Sequence, residues 1–159
     1  MKNILLICTG NTCRSVMAKA LLEQAAADND LNEKIEIDSA GTFACEGEEA
    51  SPEAVAVMDE MDIDIRRHKS KQFTRELGEW ADLILTMEAR HIEQLKAMAH
   101  ETADKTHTLI GWGKGISGFP GDFGYDILDP YREPIKKYRE CVKQLQSAVK
   151  NAVDKLAKE

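Results

Sequence analysis

Short apolar runs and longer amphipathic stretches alternate along the chain. Residues 3–7 are almost continuously apolar and precede a glycine-containing turn, which is typical of a strand buried on both faces of a parallel sheet. Residues 34–38 alternate polar and apolar side chains, and residues 83–85 form another short apolar run. Residues 106–110 are a weaker candidate for a fourth strand. The pattern therefore predicts four strands.

The stretches between these strands carry apolar residues at helical spacing. Ser15 is a candidate N-cap for a first helix, and Ser51 followed by Pro52 is a typical start of a second. Residues 88–99 and 133–157 repeat apolar positions every three or four residues, which predicts two more helices. Because crossover helices must pack on the faces of a parallel sheet, we expect an α/β three-layer sandwich.

Length and charge narrow the class of protein. The chain has 159 residues, of which 43% are hydrophobic, and this suits a single domain, 1–159, around one core. A net charge of −7 disfavours nonspecific binding to nucleic acid or to an anionic membrane, so any phosphate site has to be local. The first apolar run is too short for a signal peptide, and no run approaches the roughly 20 residues that span a bilayer. We expect a cytoplasmic monomer that binds neither nucleic acid nor membrane.

The cysteines do not form a disulfide framework or a zinc motif. Cys8, Cys13, Cys45 and Cys141 contain no matched C-x2-C pairs, and the histidines do not cluster beside them. We therefore expect free thiols, no metal and no other cofactor.

The loop 8–15, between the first strand and the first helix, is the main candidate for chemistry. It lies at the carboxyl end of a parallel strand, where α/β folds bind ligands. Backbone N–H groups that curl into a helix N-terminus form a nest for a tetrahedral oxyanion, and the helix dipole adds about half a positive charge. The same field favours the thiolate form of Cys8, and Ser15 is placed to donate a hydrogen bond to its sulfur.

Arg14 closes this loop six residues after Cys8, so its planar fork can hold two oxygens of a phosphoryl group. Gly10 permits close approach of the backbone, and the Asn11 amide can tie the loop to itself. The plainer alternative makes Cys8 a buried strand-end cysteine and Arg14 a surface residue. Their combination with Gly10 and Ser15 favours an anion site. The nucleotide-binding motif G-x4-G-K-[ST] is absent.

The motif C-x5-R-S, written CTGNTCRS over residues 8–15, resembles that of the low-molecular-weight protein phosphatase family. The late Asp-Pro-Tyr at 129–131 and the DSAGT stretch at 38–42 match further family motifs, so the resemblance spans essentially the whole chain. One departure is Val16, where many relatives carry proline, and it weakens helix initiation rather than the chemistry.

The resemblance implies a flavodoxin-like fold around a four-stranded parallel sheet, phosphorylated protein substrates and no metal. It makes Cys8 the nucleophile of a phosphocysteine intermediate, Arg14 the phosphate clamp and Asp129 the general acid. The other expected phosphate- and substrate-binding residues are Thr9, Gly10, Asn11, Thr12, Cys13, Ser15 and Tyr131.

A general acid must lie on a loop that faces the anion site, to protonate the leaving group. The glycine-rich stretch 111–124, typical of a functional loop or of disorder, and the residues after it offer Asp122, Asp126 and Asp129. Asp-Pro alone is commonly a turn, and the family match selects Asp129. Asp126 is then a loop-ordering residue or a substrate contact, and Tyr131 is either a wall of the slot or part of the core.

Thr12 is the position most informative about the substrate. Relatives that act on phosphotyrosine usually carry an apolar residue such as Ile there, whereas Thr resembles the protein-arginine phosphatase branch. The Thr12 hydroxyl takes the place of an apolar surface that the phenyl ring of phosphotyrosine needs. Asp126 or Asp129 can serve as counter-charge to the guanidinium of phosphoarginine. We therefore favour phosphoarginine over phosphotyrosine, with a protein-tyrosine phosphatase as the alternative.

Other functions fit the chain less well. An arsenate reductase would need resolving cysteines after the third strand, and residues 80–98 contain none. A phosphocarrier that keeps phosphate on a loop cysteine needs neither Arg14 nor an acid at Asp129. A catalytically inactive binding module would not need a nucleophile, a phosphate clamp and a general acid together.

Cys13 lies five residues after Cys8, within reach of a disulfide. A neighbouring thiol can capture an oxidised nucleophile reversibly, so we expect redox regulation, with packing beneath the loop as the alternative role. Cys45 and Cys141 are expected to be structural. His68 is a candidate for ordering the loop from a neighbouring segment.

Overall fold

A computed structural model describes residues 1–116 and 123–159, around a four-stranded parallel sheet with the order β2-β1-β3-β4. The strands are β1 (Lys2–Cys8), β2 (Ile35–Gly41), β3 (Leu83–Thr86) and β4 (Thr106–Thr108). The four predicted strands and their parallel arrangement are thus confirmed.

Six α-helices lie in the described part of the chain. They are α1 (Arg14–Asp28), α2 (Pro52–Asp59), α3 (Arg75–Trp80), α4 (Ala89–Met98), α5 (Leu109–Gly113) and α6 (Ile135–Ala157). Two short 3-10 helices span His100–Lys105 and Phe123–Tyr125. Among these elements, no helix combines the length and the apolar character that a membrane span requires.

The apolar run of β1 is divided between the two faces of the sheet. Ile4 and Leu6 are fully buried in one core with residues of α1 and α6, whereas Leu5 and Ile7 are fully buried in another with Phe73 and with Leu95 of α4. Successive strand residues point to opposite faces, so a strand covered on both faces needs a continuous apolar run. The result is the expected three-layer α/β sandwich.

The strand register brings the carboxyl ends to one edge of the sheet. Cys8 lies opposite Gly41 of β2, and Ile7 lies opposite Thr86 of β3. A Cβ atom on Gly41 would lie 2.3 Å from the carbonyl oxygen of Thr9, so only glycine permits this close approach. Residues that follow these strands therefore meet at the same edge.

Helix α1 begins two residues earlier than expected from Ser15 as its N-cap. Cys13 occupies the N-cap position without a side-chain capping bond, and Arg14 is the first helical residue. The predicted capping role of Ser15 is wrong, because Ser15 lies inside the first turn and its hydroxyl oxygen is 2.9 Å from the Cys8 sulfur.

Strand β4 is shorter than the predicted span 106–110. Thr108 ends it by acting as the N-cap of α5, because its Oγ1 accepts a hydrogen bond from the Gly111 N–H at 3.1 Å. The start of the predicted glycine-rich loop is therefore helical. Residues 117–122, which include the candidate acid Asp122, lie outside the described residues.

Candidate active site

Asn11 braces the loop 8–15 from inside. It is fully buried and adopts a left-handed backbone conformation, with a φ of 57°. Its side-chain amide donates to Ser15 Oγ at 2.8 Å, and its Oδ1 accepts from the Lys71 N–H at 3.0 Å. His68 Nε2 donates to the Asn11 carbonyl oxygen at 2.6 Å. The bracing predicted for Asn11 and His68 is confirmed.

Cys8 presents its sulfur to two hydrogen-bond donors. Its Sγ accepts from the Asn11 N–H at 3.2 Å and lies 2.9 Å from Ser15 Oγ. Because Ser15 Oγ already accepts from the Asn11 amide, its hydroxyl hydrogen is free to point at the sulfur. Both donors are therefore aimed at the atom that would act as nucleophile.

Arg14 is 2% exposed, so the alternative of a surface arginine is wrong. Its Nη1 donates to the Ile127 carbonyl oxygen at 3.0 Å, and its Nη2 lies 2.8 Å from Glu88 Oε2 and 3.5 Å from Asp129 Oδ2. Burial disfavours the guanidinium charge, but Cys8, Asp129 and Glu88 outweigh burial and raise the pKa of Arg14. Arg14 is therefore a buried, permanent cation at the end of the loop.

Glu88 is an active-site acid that the sequence analysis missed. Its side chain is 17% exposed and contacts both Arg14 and Arg90. Burial alone would raise the pKa of Glu88, but hydrogen bonds from Arg90 and the charge of Arg14 lower it. Glu88 is the first charged residue after β3, at the same sheet edge as Cys8, and that position was the signal that could have identified it.

Thr9 is held by two residues of α4. Arg90 Nη2 donates to Thr9 Oγ1 at 3.1 Å, and His91 Nε2 lies 2.9 Å from the same oxygen. The Glu88 N–H donates to His91 Nδ1 at 3.1 Å, so the ring proton sits on Nε2 and is donated to Thr9. Burial and the charge of Arg14 lower the pKa of His91 to about 3, which keeps this ring neutral near pH 7.

The segment 126–131 is tied to the same edge of the sheet. The Ile127 N–H donates to the Met87 carbonyl oxygen at 2.8 Å, and Asp126 Oδ1 accepts from the Ala89 N–H at 2.8 Å. Of the two roles predicted for Asp126, the contact with the start of α4 supports loop ordering.

Asp129 combines access to solvent with a position facing Arg14. Its side chain is 46% exposed, Oδ1 accepts from the Tyr131 N–H at 3.1 Å, and Oδ2 lies 3.5 Å from Arg14 Nη2. A carboxyl group placed in this way can exchange protons both with water and with a ligand in the cavity.

A cavity of about 370 Å³ lies above these groups. The predicted residues that line it are Cys8, Thr9, Gly10, Asn11, Thr12, Cys13, Arg14, Asp129 and Tyr131. Ser15 lies beside the Cys8 sulfur. Within residues 1–116 and 123–159, no group of three or more His, Cys, Asp or Glu side chains is arranged to hold a metal ion.

The sequence did not predict three further residues that line the cavity, Phe43, Cys45 and Glu48. Phe43 is 86% exposed and Tyr131 is 57% exposed, so two accessible aromatic rings belong to its wall. Tyr131 is therefore a wall residue and not part of the core. The segment after β2 reaches this wall because the Phe43 N–H donates to the Thr9 carbonyl oxygen at 3.0 Å.

The other cysteines occupy different environments. The buried Cys13 thiol lies 3.4 Å from both Ser51 Oγ and Tyr138 Oη, contacts that fit the packing role. Burial raises the pKa of Cys141 to about 12, as expected for a structural thiol. Cys45 is exposed on the cavity wall, so the prediction that it is structural is wrong. All four thiols are free.

Comparison with known proteins identifies relatives of this chain. A family model described as low molecular weight phosphotyrosine protein phosphatase matches residues 3–159. A protein-arginine-phosphatase of Geobacillus stearothermophilus is 39% identical over 156 residues, covering 98% of this chain and 97% of that protein. The low molecular weight protein-tyrosine-phosphatase Wzb of Escherichia coli K12 is 37% identical over 131 residues, covering 82% of this chain and 79% of Wzb.

Solved structures agree with these relationships. The YwlE arginine phosphatase, in the form of a cysteine-to-serine mutant with a phosphorylated active-site serine, matches with a TM-score of 0.89 and 34% identity. The match covers 99% of this chain and 97% of that one, and it confirms the expected fold. The chain therefore belongs to the low molecular weight phosphotyrosine protein phosphatase family and is a cysteine-dependent protein phosphatase.

Proposed function

We propose that this phosphatase hydrolyses phosphorylated protein side chains through a phosphocysteine intermediate at Cys8. The observation that carries the proposal is the Cys8 sulfur, which faces the Asn11 N–H and the Ser15 hydroxyl at 3.2 Å and 2.9 Å. Ser15 stabilises the thiolate before attack and again when it leaves. The phosphorylated active-site serine of the YwlE mutant supports a phosphoenzyme at the equivalent step.

In the first step the Cys8 thiolate attacks phosphorus, and an S–P bond forms as the bond to the substrate breaks. Asp129 gives its proton to the departing nitrogen or oxygen and becomes a carboxylate. In the second step water attacks phosphorus, Asp129 takes the proton of that water, and the P–S bond breaks. Inorganic phosphate and the Cys8 thiolate result, while Arg14 offers its fork to the phosphoryl oxygens throughout.

We propose phosphoarginine as the preferred substrate. Thr12 supports this choice, since it puts a hydroxyl where a phenyl ring would need apolar wall. The P–N bond breaks only when the nitrogen is protonated, and Asp129 lines the cavity where it can supply that proton. Two of the most similar relatives, from Geobacillus stearothermophilus and Bacillus subtilis, are named protein-arginine-phosphatases. Phosphotyrosine is the second candidate, favoured by the exposed rings of Phe43 and Tyr131 and by the relationship to Wzb.

Exchanging Thr12 for isoleucine is expected to reverse this selectivity. The apolar side chain should lower kcat/KM for a phosphoarginine peptide about tenfold and raise it for a matched phosphotyrosine peptide by a similar factor. Rates of phosphate release from both peptides, measured for the parent and the Thr12→Ile protein, give the ratio of kcat/KM for phosphoarginine to kcat/KM for phosphotyrosine. Thr12→Ser, which keeps the hydroxyl, should behave like the parent, and an unchanged ratio in Thr12→Ile would remove this argument.

We further propose reversible redox control through Cys13. Peroxide oxidises the Cys8 thiolate to a sulfenic acid, and the Cys13 thiol then condenses with it, forming a disulfide and releasing water. Cys13 must leave its contacts with Ser51 and Tyr138 to do so. An added thiol reduces the disulfide and restores activity.

The Cys13→Ala protein is therefore expected to regain markedly less activity than the parent after peroxide and then excess thiol. Without Cys13, the Cys8 sulfenic acid proceeds to sulfinic acid, which a thiol does not reduce. Phosphate release measured before oxidation, after oxidation and after thiol treatment follows this, with Cys45→Ala as the control. Equal recovery of the Cys13→Ala protein and the parent contradicts the protective role.

We also propose that the enzyme works as a metal-independent cytoplasmic monomer. Groups from a single chain line the cavity and face the sulfur, which supports a monomer. Four free thiols suit a reducing compartment, and the net charge of −7 disfavours anionic surfaces such as nucleic acid.

A further inference from the structure

We propose that Glu48 is a specificity-determining residue, whose carboxylate binds the guanidinium of the phosphorylated arginine. The inference rests on the proposed function, because it concerns the substrate of the same cavity. Glu48 lines that cavity together with Cys8, Arg14 and the exposed ring of Phe43.

The backbone of Glu48 is fixed by Ser70, which is 2% exposed. The Glu48 N–H donates to Ser70 Oγ at 2.9 Å, and the Ser70 N–H donates to the Glu48 carbonyl oxygen at 2.8 Å. The neighbouring Gly47 N–H also donates to the Ser70 carbonyl oxygen, at 2.8 Å. The Glu48 side chain thus extends from a segment of the cavity wall that three hydrogen bonds tie to Ser70.

The carboxylate of Glu48 has no partner among the described residues, unlike the acids on either side of it. Glu46 accepts a hydrogen bond from the Gln72 N–H at 2.8 Å, and Glu49 pairs with Lys69 at 3.6 Å. Glu48 makes no such contact, although it is the one of these three acids that lines the cavity. Its charge is therefore available to a ligand.

A free carboxylate beside a phosphate site has an electrostatic cost. It repels the phosphoryl dianion, and that repulsion weakens binding of every substrate that brings only negative charge. A phosphorylated arginine brings a planar cation directly next to its phosphoryl group, and a carboxylate accepts charge-assisted hydrogen bonds from such a group. Glu48 therefore favours phosphoarginine and disfavours phosphotyrosine.

The cavity wall offers a second element that suits a planar cation. Phe43 is 86% exposed, and a guanidinium attracts the face of an aromatic ring as well as a carboxylate. A phosphotyrosine ring could also stack on Phe43, so the ring alone does not select between the substrates. The uncompensated charge of Glu48 is what discriminates them.

A cation in the substrate can come from the phosphorylated residue or from a residue beside it, and three peptides separate these sources. Two carry phosphoarginine or phosphotyrosine between neutral residues, and the third carries phosphotyrosine next to an unmodified arginine. We expect Glu48→Gln to lower kcat/KM for the phosphoarginine peptide about tenfold, mainly through KM, and to raise it about twofold for the neutral phosphotyrosine peptide.

Glu49→Gln is the matched control, because Glu49 is not part of the cavity wall, and it should leave all three rates unchanged. The ratio of kcat/KM for the phosphoarginine peptide between the parent and Glu48→Gln should become smaller as salt is added. A purely structural role of Glu48 would not cause this dependence on salt. If the parent does not prefer the phosphoarginine peptide, both the proposed substrate and the pairing of Glu48 with its guanidinium are wrong. If Glu48→Gln keeps the parent's preference for phosphoarginine, only the pairing is wrong. If Glu48→Gln loses activity only on the arginine-flanked phosphotyrosine peptide, Glu48 binds a flanking residue and not the phosphorylated arginine.

Discussion

Replacing Cys8 with serine is expected to reduce turnover of phosphorylated peptides by at least about 10⁴-fold. A serine hydroxyl is not ionised near neutral pH, so the Asn11 and Ser15 donors that face the sulfur have no thiolate to stabilise. Steady-state release of inorganic phosphate by the purified protein measures the loss.

Phosphate binding provides the control for the Cys8→Ser protein. Arg14 and the backbone N–H groups of the loop are unchanged, so titration with inorganic phosphate should still show binding. Continued turnover by this variant would contradict the role of Cys8 as nucleophile. A parent that forms phosphocysteine once and releases no further phosphate would instead be a phosphocarrier.

Replacing Asp129 with asparagine is expected to lower kcat on phosphorylated peptides about 100-fold or more. An amide cannot protonate the leaving group or accept a proton from water. The loss in kcat/KM, which covers only the steps up to departure of the leaving group, should be smaller on an activated aryl phosphate, because that leaving group departs without protonation. Comparing kcat/KM on the two kinds of substrate therefore reports on proton transfer to the leaving group.

Asp126→Asn is the matched control for Asp129→Asn. Both acids belong to the same segment, but Asp126 accepts a hydrogen bond from the Ala89 N–H, and an asparagine oxygen can still accept it. This variant should therefore retain most of its activity. Equal losses in the two variants would contradict the assignment of Asp129.

The central strand and the loop after it could be predicted because their signals are local in sequence. The run Ile4–Leu5–Leu6–Ile7 requires cover on both faces, and the cores on the two sides of β1 supply it. Cys8 and Arg14 are joined by one short loop, so their spacing together with Gly10 and Ser15 predicted an anion site. Helix α5 was not predicted, because five residues are too few to show the 3.6-residue periodicity of apolar positions.

The rest of the site depends on contacts between residues far apart in sequence. Glu88 reaches Arg14 only because β3 pairs with β1, and the pattern of apolar residues does not reveal that order of strands. Phe43 is exposed, so no burial pattern marked it. His91 occupies a buried position at helical spacing, where its bond to Thr9 depends on its ring tautomer and not on periodicity.

The ion pair between Arg14 and Glu88 bears on how the enzyme completes its cycle. When inorganic phosphate leaves, a clamp without a partner would remain as an isolated buried cation, and that desolvation cost would hold the product in place. Glu88, 2.8 Å from the guanidinium, supplies such a partner from within the protein. The buried cation therefore stays paired after phosphate leaves, and we expect this pairing to favour product release.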